Sequence, residues 1–254
     1  MPAYNEAEYI EQNVRETIDT LSKISSNFEV IVVDDGSADR THIAAARVKN
    51  AHPELVNVVR YSGNEGKGNA LMCGCRYATG DFVVFLDADM DLHPSQLSGF
   101  FQIMCDSNAD AVIGSKWHKN SLVVYPALRK LYSFGYFALV RLLFGLPLRD
   151  TQTGLKVFRA DSLTETLPWL LAKRFAFDIE LLANMHRRGM KIESSPVTLS
   201  FTRTLGRIKI KHVFQMIVDT FAIFYRMKIC KYYDRPVKSL QTYQHSWRVQ
   251  SDDT

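Results

Sequence analysis

The sequence predicts an α/β protein: a mostly parallel sheet flanked by helices. Three observations carry this. Residues 28–33 and 81–86 are near-continuous apolar runs, the pattern of strands buried on both faces. Stretches with helical spacing separate the strand-like runs, so strand and helix alternate and right-handed crossovers follow. Both apolar runs also end in carboxylates, Asp34-Asp35 after the first and Asp87, Asp89 and Asp91 after the second. Acidic groups therefore gather at the carboxyl ends of strands, where open α/β sheets bind ligands.

The elements follow in order. Met1-Pro2-Ala3-Tyr4-Asn5-Glu6 reads as the loop after a strand, with the strand itself missing. Residues 8–22 place Ile10, Val14, Ile18 and Leu21 on one helical face. Strand 28–33 is closed by Asp34-Asp35-Gly36-Ser37, with Ser37 placed to cap the next helix, 42–49. Residues 56–61 form a strand, 63–68 a glycine-rich loop, and 69–78 a helix. Strand 81–86 is followed by helix 97–107 and a short strand at 111–114. After about Lys116 the pattern changes. Residues 126–146 are aromatic and aliphatic, interrupted by Arg129, Lys130 and Arg141. Residues 149–159 are polar and then turn into a strand, 177–187 are helical, and 191–201 are strand-like. Residues 211–233 form a long amphipathic helix predicted to bury Phe214, Ile217, Val218, Phe221, Ile223 and Phe224. The tail from Pro236 is polar and predicted disordered.

The 254 residues suffice for one large α/β domain that buries roughly 70–75% of its unfolded surface without staples. A hydrophobic fraction of 46% and a charged fraction of 23% are those of an ordinary globular protein. The net charge of +4 suits an anionic substrate or a membrane surface. Cys73, Cys75, Cys105 and Cys230 have no metal or redox spacing, so they read as reduced thiols in a cytosol. There is no signal-peptide pattern and no apolar run long enough to span a bilayer. No nucleic-acid partner is expected.

Asp87, Asp89 and Asp91 alternate. In extended chain they would point one way, and three like charges repel unless a cation lies between them. Oxygen-only ligands select a hard ion, Mg²⁺ or Mn²⁺. On this stretch alone, a solvated acidic turn is an equal reading. Asp35 could accept hydrogen bonds from a base or a ribose. Gly63-Asn64-Glu65-Gly66-Lys67-Gly68 lacks the Lys-Ser/Thr ending of a P-loop, so it reads as a tight turn placing Lys67 near a ligand or as a plain loop. Glu180 lies in an apolar helix, where an unpaired carboxylate is costly, so a cationic partner is expected, with Arg174 the candidate.

Taken in order, Pro2-Ala3-Tyr4-Asn5-Glu6, Val33-Asp34-Asp35-Gly36-Ser37-Ala38-Asp39, Asn64-Glu65-Gly66-Lys67-Gly68 and Asp87-Ala88-Asp89 resemble the family 2 glycosyltransferases, whose GT-A fold is Rossmann-like. Arg149-Asp150-Thr151-Gln152-Thr153-Gly154-Leu155-Lys156-Val157-Phe158-Arg159 and Arg174-Phe175-Ala176-Phe177-Asp178-Ile179-Glu180-Leu181-Leu182 resemble the polyprenyl-phosphate sugar transferases, which include the dolichyl-phosphate mannose and glucose synthases. The likeness covers residues 2–212. It implies a GT-A domain at 1–212, an amphipathic interfacial helix at 213–235 and a polar tail at 236–254. The implied enzyme lies peripherally on the cytosolic face of a membrane, endoplasmic reticulum or prokaryotic plasma membrane. It moves a hexose from a nucleotide sugar, UDP-glucose or GDP-mannose, to a polyprenyl phosphate such as dolichyl or undecaprenyl phosphate; the alternative readings are a family 2 transferase acting on another lipid or a soluble glycan, and a catalytically silent nucleotide-sugar- or membrane-binding module.

By the same likeness Pro2, Tyr4, Glu6, Val33, Asp35, Lys67, Asp87 and Ala88 hold the nucleotide. Asp87, Asp89 and Asp91 hold Mg²⁺ or Mn²⁺. Asp89 belongs to the catalytic group with Arg203 and Lys209, which match a family segment, and with Arg129, chosen as a cation for the two anions. Lys116 stands at a substrate position, and Asp150 and Gln152 either order the acceptor or sugar or, equally, form a turn. Three positions depart from the mannose synthases: Asp91 replaces a frequent glutamine, Lys116 an arginine, and Ile208 a serine. The 150–154 and 175–178 segments lean towards glucose and UDP. The chemistry agrees. A lipid phosphate is largely a dianion at neutral pH, so it is already a nucleophile and needs no strong base. The enzyme must stabilise a leaving diphosphate and hold two anions together, which calls for a metal and for Arg or Lys. Segments 125–146 and 211–233 mix apolar stripes with Lys and Arg, as interfacial helices do.

Overall fold

The structure, a computed structural model, describes residues 1–123, 127–199 and 210–234. The elements are β1 (Pro2–Ala3), α1 (Ile10–Leu21), β2 (Val30–Asp34), α2 (Thr41–Ala51), β3 (Val56–Arg60), α3 (Lys67–Cys75), β4 (Phe82–Phe85), α4 (Leu97–Ser107), β5 (Ala111–Ser115), β6 (Leu122–Val123), α5 (Ala127–Phe144), β7 (Lys156–Arg159), α6 (Ala160–Thr166), α7 (Phe177–Arg187), β8 (Ile192–Pro196), β9 (Thr198–Leu199) and α8 (Ile210–Phe224). One π-helical turn, Tyr225–Ile229, follows α8.

Strands β1, β2 and β3 pair in parallel, with Pro2 opposite Val33 and Val30 opposite Val56. Pro2 and Ala3, predicted as loop, are thus strand. A second sheet has the order β4-β7-β5-β8. In it β5 and β8 are parallel, while β7 runs antiparallel to both β4 and β5. The predicted parallel arrangement therefore holds with one reversed strand. The strand predicted at 191–201 is broken into β8 and β9, with β9 pairing β6 instead.

Helices cover the sheets because their apolar stripes need partners. Ile10, Val14 and Ile18 of α1 and Ala44, Ala45 and Val48 of α2 pack on Val30 and Val32. Leu97, Phe100 and Met104 of α4 pack on Val112 and Val157. Helix α7 is buried almost all round, with Phe177, Ile179, Leu181 and Leu182 meeting Phe158, Val140 of α5 and Ile223 of α8. Strand β4 departs from its predicted double burial: Phe82 is 40% exposed, lying edge-on to Phe101 with Arg159 over its ring.

Helix α8 departs further. Ile223 is buried as predicted, but Phe214, Val218 and Phe221 are exposed, as are Tyr225 and Ile229 beyond them. The helix is apolar on more than one side, and only the side bearing Thr220, Ile223 and Met227 finds core. Among the described residues no helix is long and apolar enough to cross a membrane. The tail from Pro236 lies outside the described residues, as do Arg203, Ile208 and Lys209.

Candidate active site

β2 and β4 end on the acidic clusters, and the reversed direction of β7 brings the 150–155 loop in beside Asp87. Beyond Phe85 the chain does not stay extended. It turns, with Met90 at φ +59°, and the Asp91 N–H donates to Asp89 Oδ1 at 3.1 Å. Alternation therefore does not align the three carboxylates. Among the described residues no group of three or more His, Cys, Asp or Glu side chains is gathered to hold a metal.

Each of Asp87 and Asp89 is nevertheless set up electrostatically. Lys67 Nζ pairs with Asp87 Oδ1 at 2.6 Å. Burial works against charge on Asp87, but Lys67 and, further off, Lys156 outweigh it and hold the carboxyl below its usual range. Asp89 goes the other way: burial, then the charges of Asp87 and Asp91, push it up to about 6. Burial also opposes charge on Lys67, yet Asp87, Asp178 and Asp89 keep its ammonium above the ordinary value. Oxygen donors that repel one another fit a hard divalent cation, and the pair Asp87 and Asp89 supplies them. Gly154 makes room for this: a Cβ there would overlap the Asp87 carboxylate.

Lys67 is the first residue of α3, so the loop predicted over 63–68 ends two residues earlier than expected. Helix N-termini offer free N–H groups and positive potential to phosphates. Asp35 anchors this loop. It is buried and accepts from Tyr61 Oη at 2.6 Å, the Glu65 N–H at 2.8 Å and the Gly66 N–H at 3.0 Å. Its acceptors are thus spent on the chain that carries Lys67. Asp34 is fully buried against Arg60 Nε at 3.3 Å and accepts from the Ser37 N–H. Ser37 does not cap α2 as predicted. Its hydroxyl accepts the Asn5 N–H at 2.9 Å, and the Glu6 N–H donates to Thr41 Oγ1, so the 4–6 and 34–41 loops are stitched together.

The other predicted residues are placed as follows. Tyr4 is 46% exposed beside this stitch. Pro2 and Val33 sit opposite one another in the sheet, and the Val33 side chain is buried against Gly74. Ala88 is buried, its carbonyl accepting from Asn13 Nδ2 at 2.7 Å. Asp150 is buried and accepts from both the Lys116 N–H, at 3.0 Å, and Lys116 Nζ, at 3.1 Å. Gln152 follows in the same loop, its N–H donating to Asp150 Oδ1. Its side-chain Nε2, like Thr153 Oγ1, is buried with no hydrogen-bond partner among the described residues. Arg129 falls in the first turn of α5, and its side chain lies outside the described residues.

One site residue escapes sequence reasoning. Lys156 is 1% exposed and donates to Asp178 Oδ1 at 2.7 Å and to the Thr153 carbonyl, which fixes the 150–154 loop to the start of α7. Burial draws its ammonium down, with Asp178 opposing. The signal was a lone lysine inside Leu155-Lys156-Val157-Phe158, a run otherwise apolar. Glu180 is fully buried and does find a cation, but it is Arg226, at 2.9 Å, rather than Arg174. The four cysteines are free thiols.

The fold is that of an α/β protein whose sheet edge gathers paired carboxylates, two lysines and a helix N-terminus. Residues 1–167 match the family model for glycosyl transferase family 2. The chain belongs to that family and is a glycosyltransferase. It is 32% identical over 257 residues to dolichyl-phosphate beta-glucosyltransferase ALG5D of Trichomonas vaginalis, covering 92% of this chain and 75% of that protein. It is 32% identical over 199 residues to glycosyltransferase AglD of Haloferax volcanii, covering 78% of this chain but only 32% of that longer protein. Among solved structures, glucosyl-3-phosphoglycerate synthase of Mycobacterium tuberculosis, in complex with Mn²⁺, UDP and glucosyl-3-phosphoglycerate, superposes with a TM-score of 0.64 at 23% identity, covering 92% of this chain and 78% of that one. This last likeness is one of fold, and it matches the predicted GT-A architecture.

Proposed function

We propose that this chain transfers a hexose from a nucleotide sugar to a polyprenyl phosphate, with inversion at the anomeric carbon and UDP-glucose as the first candidate donor. The carrying observation is the Asp87–Asp89 pair at the end of β4, braced by Lys67. The names of the Trichomonas relatives, dolichyl-phosphate beta-glucosyltransferases, supply the acceptor class and favour glucose. UDP-glucose with Mn²⁺ occupies a solved neighbour of the same fold. GDP-mannose is the competing donor.

In this reading Asp87 and Asp89 hold Mg²⁺ or Mn²⁺, with Asp91 alongside, and the ion would offset charge on the leaving diphosphate. Lys67, at the start of α3, adds a cation next to that charge. Asp35 acts by holding the Lys67 loop in place, with Tyr4 and Glu6 at the nucleotide end. The Asp150 carboxylate keeps Lys116 aimed and shapes the loop of Gln152 and Thr153, whose buried polar atoms, unsatisfied among the described residues, suit a sugar hydroxyl. The lipid phosphate attacks the anomeric carbon, the bond to the diphosphate breaks, and the nucleoside diphosphate leaves. Arg129, Arg203 and Lys209 are proposed on sequence grounds to hold the acceptor phosphate. The exposed stripe of α8 supports peripheral docking on the cytosolic face of a membrane.

A radiolabel assay tests this, offering UDP-glucose and GDP-mannose in turn with dolichyl phosphate and Mg²⁺ or Mn²⁺. The expected result is label in the organic phase from UDP-glucose, with Asp89→Ala slowed by at least about 10²-fold. Undiminished turnover in Asp89→Ala removes the carboxylates from the reaction. Label from GDP-mannose alone reassigns the donor, and label confined to water-soluble product removes the lipid.

A further inference from the structure

Glu180 sits in the first turn of α7 and is fully buried. Its two oxygens gather four donors from two separate parts of the chain. Oε2 accepts the N–H groups of Leu171 and Ala172 at 2.8 and 2.6 Å. Oε1 accepts Arg226 Nη2 at 2.9 Å, from the π-helical turn after α8, and the hydroxyl of Tyr233. Arg226 Nε in turn donates to Tyr233 Oη at 3.1 Å. A buried carboxylate is costly unless fully paired, and a fully paired one fixes all its partners at once.

The segment held by Oε2 continues into residues 173–177, which contact the loop that carries Lys67. The next carbonyl, that of Lys173, accepts the Asn69 N–H at 2.9 Å, and Lys173 Nζ pairs with Glu65 Oε2 at 2.6 Å. Gly66 and Gly68, on either side of Lys67, are packed on this segment. A Cβ on Gly66 would stand 2.7 Å from both the Lys173 oxygen and Arg174 Cγ, and one on Gly68 would overlap Phe177. Lys67 therefore has its backbone pressed on both sides by residues 173–177, which Glu180 suspends from the C-terminal segment.

We propose that Glu180 is a positioning residue that transmits the placement of the 226–233 segment to Lys67, and so sets nucleotide affinity from a distance. It rests on the reading that Lys67 serves a nucleotide sugar. The test is UDP and GDP binding to the whole chain with Mn²⁺ present, by titration calorimetry, for wild type, Glu180→Gln, Arg226→Met and Tyr233→Phe. Met104→Ala, a cavity in the buried face of α4, serves as a control for lost stability alone. Glu180→Gln and Arg226→Met are expected to weaken UDP binding by roughly ten-fold, and Tyr233→Phe by about three-fold. Met104→Ala is expected to lower the melting temperature without moving the binding constant. Wild-type affinity in the folded fraction of Arg226→Met and Tyr233→Phe overturns the coupling, even if Glu180→Gln does not fold. A wild-type chain that binds neither nucleotide overturns the functional reading, and this inference with it.

Discussion

Asp89 lies between two carboxylates of its own turn, and this has a measurable cost. Its folded pKa, pushed up to about 6 by burial and by Asp87 and Asp91, stands above the carboxylate's unfolded value near 3.8. The folded state then binds more protons than the unfolded state between those values, so stability from this group is present below about pH 4 and is lost as pH rises through 6. In metal-free protein, Asp89→Asn is expected to stabilise by about 1 kcal/mol at pH 7, discounted for solvent screening, because the amide retains an oxygen for the Asp91 N–H. The gain should vanish near pH 4. Urea unfolding at pH 4 and pH 7 checks this, and a pH-independent difference would show that electrostatics is not the cause.

At the scale of elements, the site hangs on how the 150–154 loop meets α7. Lys156 and Asp178 form a buried pair, and removing one member leaves an unpaired buried charge. Lys156→Met is expected to destabilise by about 3–5 kcal/mol, while the double substitution Lys156→Met/Asp178→Leu recovers more than half of that loss. Denaturant midpoints of the three proteins decide it; a double variant as unstable as the single one would assign the loss to packing. This pair also shows what sequence can and cannot tell. Strand β2, α1 and α4 were legible because apolar periodicity alone dictates them. Asp87 and Asp89 could be singled out as candidates because carboxylates in a strand-ending motif stand out. The Arg226 partner of Glu180 was not, because the two are 46 positions apart and nothing local marks them. The turn at Met90, the reversal of β7 and the outward face of α8 were missed for the same reason: each is decided by tertiary neighbours, not by local pattern.

At the scale of the whole molecule, Phe214, Val218, Phe221, Tyr225 and Ile229 form an apolar stripe too extended for a surface meant only for water. Phe214→Ser/Phe221→Ser is expected to leave melting temperature nearly unchanged while weakening co-sedimentation with anionic vesicles by about ten-fold or more. Equal sedimentation of both proteins would detach this stripe from lipid binding.

The reversed strand β7 has a bearing on how the chain reaches its fold. β4 and β5 are not neighbours; each bonds to β7, which arrives later in the chain and lies between them. Until it inserts, both strands expose unpaired edges, and the Asp87 turn has no loop opposite it. Late closure of distant partners slows folding and exposes edges to other chains. During synthesis, β4 and β5 therefore wait for β7 to emerge before either is paired on that edge.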